Sequence, residues 1–85
     1  MSHKIQYLIC KLQEEAAEVI QAVSKINRFG EGNRHPDRTT TNKQELVGEL
    51  EDLLAILGVL EQLGWLDLNP SKENIKQKAL SLIKQ

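Results

Sequence analysis

The sequence predicts an all-α protein, with two long antiparallel helices and a shorter C-terminal helix completed into a helical bundle by oligomerisation. Two observations carry the class. Apolar residues recur every three or four positions through three segments, which is helical spacing. Nowhere does the chain show the period-two alternation of a half-buried strand. A third observation carries the oligomer. Twenty-four of the 85 residues are Leu, Ile or Val, a large apolar load for a chain that buries only about 60–65% of its unfolded surface.

The first helix is expected from about Lys4 to Asn27. Ile5, Leu8, Leu12, Ala16, Val19, Val23 and Ile26 form its stripe, uninterrupted by Gly or Pro. Two Gly, a Pro and an Asn between Phe29 and Arg38 then mark a loop. Thr41 or Asn42 is suited to cap a second helix, expected from about Lys43 to Leu63. The second half of that helix, Leu53 to Leu60, is apolar on every side. Such a helix has to be covered all round, so a second subunit is expected. Gly64 is the expected C-terminal cap. Pro70 can open the third helix with Asn69 as its cap, and Ile75, Ala79, Leu82 and Ile83 supply its stripe. Residues 1–85 read as one domain.

Composition excludes several classes. Eleven bases against twelve acids leave a net charge of −1, so no overall positive charge grips nucleic acid. The longest strictly apolar run is eight residues, well short of the ~20 that cross a bilayer. No apolar segment follows Met1-Ser2-His3-Lys4, so no signal peptide is expected. One cysteine, Cys10, forms no internal disulfide and fits a cytoplasmic location.

The acids are unevenly placed. Seven of the twelve lie in two windows: Glu14, Glu15 and Glu18, then Glu45, Glu49, Glu51 and Asp52. At roughly 100° per residue, Glu15 and Glu18 sit about 60° and 120° to one side of Leu12, with Lys11 and Ala22 on the same flank. Glu49 and Asp52 share a side of the second helix with Ile56 and Leu63. Each pair has i, i+3 spacing and presents two carboxylates side by side. In an antiparallel hairpin the four can converge. Carboxylates that close repel and are costly to desolvate. A divalent cation relieves both, and an oxygen-only donor set favours Mg²⁺, with Mn²⁺ possible, over zinc. His3 and His35 lack the Glu-x-x-His spacing of di-iron bundles. The alternative is that both pairs are ordinary solvated charge on a helical oligomerisation or adaptor module.

Glu14-Glu15-Ala16-Ala17-Glu18 followed by Glu49-Leu50-Glu51-Asp52 resembles the E-E-x-x-E … E-x-x-D signature of the MazG-like all-α nucleoside triphosphate pyrophosphohydrolases. That superfamily includes the dimeric dUTPases, the dCTP pyrophosphatases and the phosphoribosyl-ATP pyrophosphatases. The resemblance covers roughly Ile5 to Leu63. Two features depart from the pattern: the stretch from Val19 to Gly48 is long, and the chain stops soon after the third helix, so a partner subunit is expected to complete the site.

The resemblance implies Mg²⁺-dependent cleavage of a nucleoside triphosphate between the α and β phosphates, in a nucleotide-pool role. Phosphoribosyl-ATP pyrophosphatase is the nearest alternative in the same fold. By carry-over, Glu15, Glu18, Glu49 and Asp52 hold metal. Glu14, Glu15 and Glu18 are the catalytic carboxylates, one of which takes the proton of the attacking water. Triphosphate needs cations, for which Lys11, Lys25, Arg28, Arg34, Arg38, Lys72 and Lys76 are candidates. Arg28 is preferred for its planar fork beside the loop, and Lys72 and Lys76 come next. Phe29 or Trp65 can stack a base. A homodimer or homotetramer is expected.

Overall fold

The computed structural model describes residues 1–33 and 36–85. Arg34 and His35, both considered above, lie outside the described residues. Helix α1 spans His3–Phe29, α2 spans Asn42–Gln62, and α3 spans Lys72–Ile83 after a 3-10 turn at Asn69–Ser71. No strand occurs among the described residues. None of these helices is long and apolar enough to cross a membrane.

The ends of the helices follow from local chemistry. Ser2 Oγ accepts the Ile5 N–H at 3.1 Å and starts α1. Of the two candidate caps for α2, Thr41 does the capping. Its hydroxyl accepts the Gln44 N–H at 3.2 Å, and Gln44 Oε1 accepts the Thr41 N–H at 2.8 Å, a reciprocal capping box. Gly64 terminates α2 with φ +75°. The Gly64 N–H donates to the Glu61 carbonyl and the Trp65 N–H to the Leu60 carbonyl, the paired bonds of a Schellman ending. The third helix departs from expectation. Asn69 gives no side-chain cap. Asp67 Oδ1 instead accepts the Asn69 N–H at 3.0 Å, an Asx-type turn that delivers Pro70 into the 3-10 turn.

Helices α1 and α2 form an antiparallel hairpin. Asn42 Nδ2 bonds the Gly30 carbonyl at 3.0 Å at the loop end, while Glu18 meets Glu49 further along. The face of α2 turned to α1 is built from Asn42, Glu45, Glu49, Leu53, Ile56 and Leu60, all partly or fully buried. On α1, Leu8 and Ala22 are the two fully buried positions. Ala22 belongs to the acidic flank, so α2 lies over that flank and not squarely over the Leu12 stripe. The small Ala22 side chain leaves room for the close approach.

The rest of the apolar surface is open. Ile20, Val47, Leu54 and Leu63 are each more than half exposed, so a single chain does not provide the all-round cover expected for the second half of α2. Among the described elements, helix α3 packs only on the 3-10 turn before it, and Leu82 and Ile83 project into solvent. The chain measures 42 × 38 × 16 Å. Its thinnest dimension is little more than the ~10–12 Å width of one helix. Its radius of gyration is 15.8 Å, against about 12 Å for a compact chain of this length. The hairpin and α3 form one layer, whereas a folded domain needs two.

Candidate active site

Packing on the acidic flank brings carboxylates together near the middle of the hairpin. Glu15, Glu18 and Glu49 can each offer a carboxylate oxygen, and these oxygens all lie within 4.8 Å of one another. Glu15 comes from the edge of the α1 stripe and exposes only 12% of its side-chain surface. Glu49 comes from the inward face of α2 and lies close to Glu18. Asp52 is exposed and outside the tight group, but its charge is felt by both Glu15 and Glu49.

The electrostatic consequences follow from that crowding. Desolvation, then the Glu18 and Asp52 charges, pushes the Glu15 carboxyl above its ordinary 4.5, with Lys11 opposing. The Glu49 carboxyl is also raised, first by its hydrogen bond with Glu18 and then by desolvation. A raised carboxyl holds its proton more readily, which is how the pair tolerates contact when nothing else neutralises it. Two oxygens, Glu15 Oε2 and Glu49 Oε2, are buried and make no hydrogen bond. Buried polar atoms are almost always partnered. Two orphaned carboxylate oxygens from facing helices, with a third carboxylate in the same group, are the donor set a hard divalent cation takes. The residues present fit such an ion.

The other sequence-based site residues scatter. Glu14 faces solvent and pairs with Lys11 at 3.3 Å, and the same ammonium lies 4.0 Å from Glu15. Lys11 is thus engaged by acids. Glu14 and its hydrogen bond hold the Lys11 ammonium charged, above its usual range. Arg28 lies over the Phe29 ring, 4.9 Å from its centroid, and lines neither cleft described below. Lys72 and Lys76 ride on α3, which one chain does not bring to the acids. Trp65 sits past the end of α2, far along the hairpin from Phe29.

Two clefts of about 270 and 290 Å³ continue from the acidic group toward the loop. The nearer is lined by Glu18, Gln21, Ala22 and Glu49, and the farther by Phe29, Asn33, Pro36 and Asn42. Lys25, Arg38 and Glu45 line both. Arg38 donates to Glu45 Oε1 at the junction. Of the seven candidate cations, Lys25 and Arg38 are, among the described residues, the two that line these clefts. Glu45, Asn42 and Gln21 were not legible as lining residues. Glu45 read as one acid of the second window and Asn42 as a candidate cap, and no spacing rule links Arg38 to Glu45 across a helix start.

In a comparison with families of known proteins, residues 1–79 match the PRA-PH family, phosphoribosyl-ATP pyrophosphohydrolase. No curated protein and no solved structure matches the chain.

Proposed function

From the premise that the chain belongs to the phosphoribosyl-ATP pyrophosphohydrolase family, we propose that it hydrolyses the α–β phosphoanhydride of a nucleotide triphosphate group, releasing pyrophosphate and a monophosphate, with Mg²⁺ held by Glu15, Glu18 and Glu49. The observation that carries this reading is the pair of orphaned oxygens on Glu15 and Glu49 beside Glu18. Solvated surface acids do not give up their water in this way.

Mg²⁺, when bound, neutralises phosphate charge and acidifies water. The chain's own residues do the rest. Glu15, Glu18 and Glu49 present their oxygens from two facing helices. Asp52, exposed at the rim and within electrostatic reach of both buried acids, adds negative charge that favours a cation there. Lys25 and Arg38 bind phosphate oxygens in the adjoining cleft, Arg38 through its planar fork. One carboxylate of the acidic group accepts the proton of the attacking water.

Phosphoribosyl-ATP is the first substrate to test, because the family is described by it. Ordinary nucleoside triphosphates are the second reading, favoured by the E-E-x-x-E … E-x-x-D order of acids that Glu14 to Glu18 and Glu49 to Asp52 present.

The working form in this proposal is an assembly of two copies, or of two such pairs. The chain exposes 6760 Å², roughly 1,700 Å² more than expected for a compact monomer of its mass. Covering that excess on both copies matches an obligate homodimer interface, about 2,000–5,000 Å² in total. Ile20, Val47, Leu50 and Leu54 are among the exposed apolar residues available to it.

The test is pyrophosphate release from phosphoribosyl-ATP and from ribo- and deoxyribonucleoside triphosphates, with Mg²⁺ and with EDTA. Metal-dependent pyrophosphate with an equal yield of monophosphate supports the reading. Orthophosphate and diphosphate as products, or no turnover by folded protein across the whole panel, would overturn it and favour an adaptor module.

A further inference from the structure

We propose that Glu45 is a positioning residue for the reaction: its carboxylate holds the Arg38 guanidinium at the junction of the two clefts before substrate arrives. The inference rests on the reading above, because it takes Arg38 to bind phosphate oxygens there.

The backbone holds the two residues very differently. Glu45 stands in the first turn of α2, where its N–H donates to the Thr41 carbonyl at 3.0 Å. That turn is tied to the end of α1 and the residues after it. The Asn42 N–H donates to the Asn33 carbonyl at 2.7 Å, and the Lys43 N–H to the Glu31 carbonyl at 3.0 Å. Asn42 Nδ2 adds its bond to the Gly30 carbonyl. Glu45 therefore stands on a fixed platform, with 19% of its side-chain surface exposed. Arg38 lies outside the helices and makes no backbone–backbone hydrogen bond among the described residues. Its side chain is half exposed. A side chain that long samples many rotamers when left alone, and ordering it during binding is unfavourable. The ion pair with Glu45 orders it in advance.

The pair engages Arg38 through Nη1. A guanidinium carries five N–H donors, so Arg38 can keep Glu45 and still offer donors to a phosphate. Both residues line both clefts, so the pair sits where the clefts meet. Glu45 is one turn from Glu49 on the same face of α2. The close group of carboxylate oxygens nevertheless consists of Glu15, Glu18 and Glu49 without it. The partner of Glu45 is the loop cation, so its role lies on the phosphate side of the site and not as a further metal ligand.

The experiment measures binding of α,β-methylene-ATP by titration calorimetry with Mg²⁺, so no turnover is needed. Wild type, Arg38→Ala, Glu45→Ala, Glu45→Gln and the Arg38→Ala/Glu45→Ala double variant are compared, each checked for folding by a thermal melt. Glu45→Ala should weaken binding roughly two- to tenfold, the range for ordering one long side chain. Glu45→Gln keeps an oxygen that can accept from Arg38 and should recover most of that loss. In the Arg38→Ala background, Glu45→Ala should weaken binding no further, because the two residues act as one unit. Mn²⁺ affinity without nucleotide should be the same for Glu45→Ala as for wild type. An equal loss from Glu45→Ala with and without Arg38, no recovery in Glu45→Gln, or tighter binding by Glu45→Ala would each overturn the proposal. Weaker Mn²⁺ uptake by Glu45→Ala would overturn it in favour of a metal ligand. The predicted pattern without pyrophosphate release would retain the positioning role and sink the proposed reaction. Pyrophosphate release with analogue binding unmoved by Arg38→Ala and Glu45→Ala would sink the positioning role and retain the reaction.

Discussion

The middle of the α1–α2 hairpin and helix α3 are written with similar residues and meet opposite fates. Both alternate apolar and charged side chains at helical spacing. In the hairpin, α2 lies across the acidic flank of α1, so Glu15 and Glu49 lose water and press on Glu18. In α3, Ile75, Leu82 and Ile83 are exposed on a helix that also carries Lys72 and Lys76, and among the described elements α3 packs only on the turn below. Periodicity states which residues share a face. Only the neighbouring element decides whether that face becomes a core, a site or an open surface.

The largest effect should come from uncharging the hairpin acids. Glu49→Gln or Asp52→Asn should lower turnover by at least about a hundredfold, since even residues that merely orient metal ligands cost ten- to hundredfold. The fold should be retained or gain stability, because carboxylate repulsion is relieved. A steady-state assay paired with a thermal melt checks both. Unchanged turnover would move Glu49 and Asp52 out of the machinery.

Next is interface disruption. Leu54→Glu on the open face of α2 should convert the assembly to monomer, or weaken it tenfold or more, as loss of a central apolar contact does. Light scattering at micromolar concentration reads this. A wild type that is already a monodisperse monomer would contradict the two-layer account.

A pH series sharpens the comparison further. Glu15 and Glu49 have carboxyl pKa values raised above the ordinary 4.5. Below that value folded and unfolded forms are equally protonated. As pH rises through the raised folded-state values, the folded form holds extra protons, so stability falls with increasing pH. Metal-free protein should therefore melt at progressively lower temperature as pH rises from 4.5 toward neutrality, and Mg²⁺ should reverse the loss. Glu49→Gln should flatten the trend, whereas changes in α3 should leave it untouched.

The smallest effects belong to α3 and to the caps. Lys72→Ala should change turnover by less than twofold. A larger rise in KM would show that α3 of a second copy reaches the phosphates. Thr41→Ala should cost about 1 kcal/mol of stability by removing the α2 cap, readable in a denaturant titration.

Much of this was legible in the sequence. The three helices, the Gly64 ending, and Glu15, Glu18 and Glu49 on facing flanks all follow from spacing, because 3.6-residue geometry fixes direction without knowledge of the partner. The roles of Asp67 and Asn42 were not legible. Both depend on backbone groups brought near by a turn, and short polar side chains serve caps, turns and cavity walls equally well. Nor could spacing rank the cations. Lys25 and Arg38 reach the cleft because the loop returns across the end of α1, whereas Arg28, one turn from Lys25, rests on Phe29. The face of α2 that packs on α1 contains Glu45 and Glu49, and its greasier side, with Val47, Leu50 and Leu54, is the open one.

The central claim is that the hairpin acids form a metal site and not a solvated patch. Mn²⁺ titrated calorimetrically into metal-free protein near neutral pH, in two buffers of different ionisation enthalpy, tests it directly. The account predicts saturable binding that releases protons from the Glu15, Glu18 and Glu49 group and is lost in Glu49→Gln. Folded wild-type protein that takes up no Mn²⁺, or binds it as well after Glu49→Gln, would contradict it.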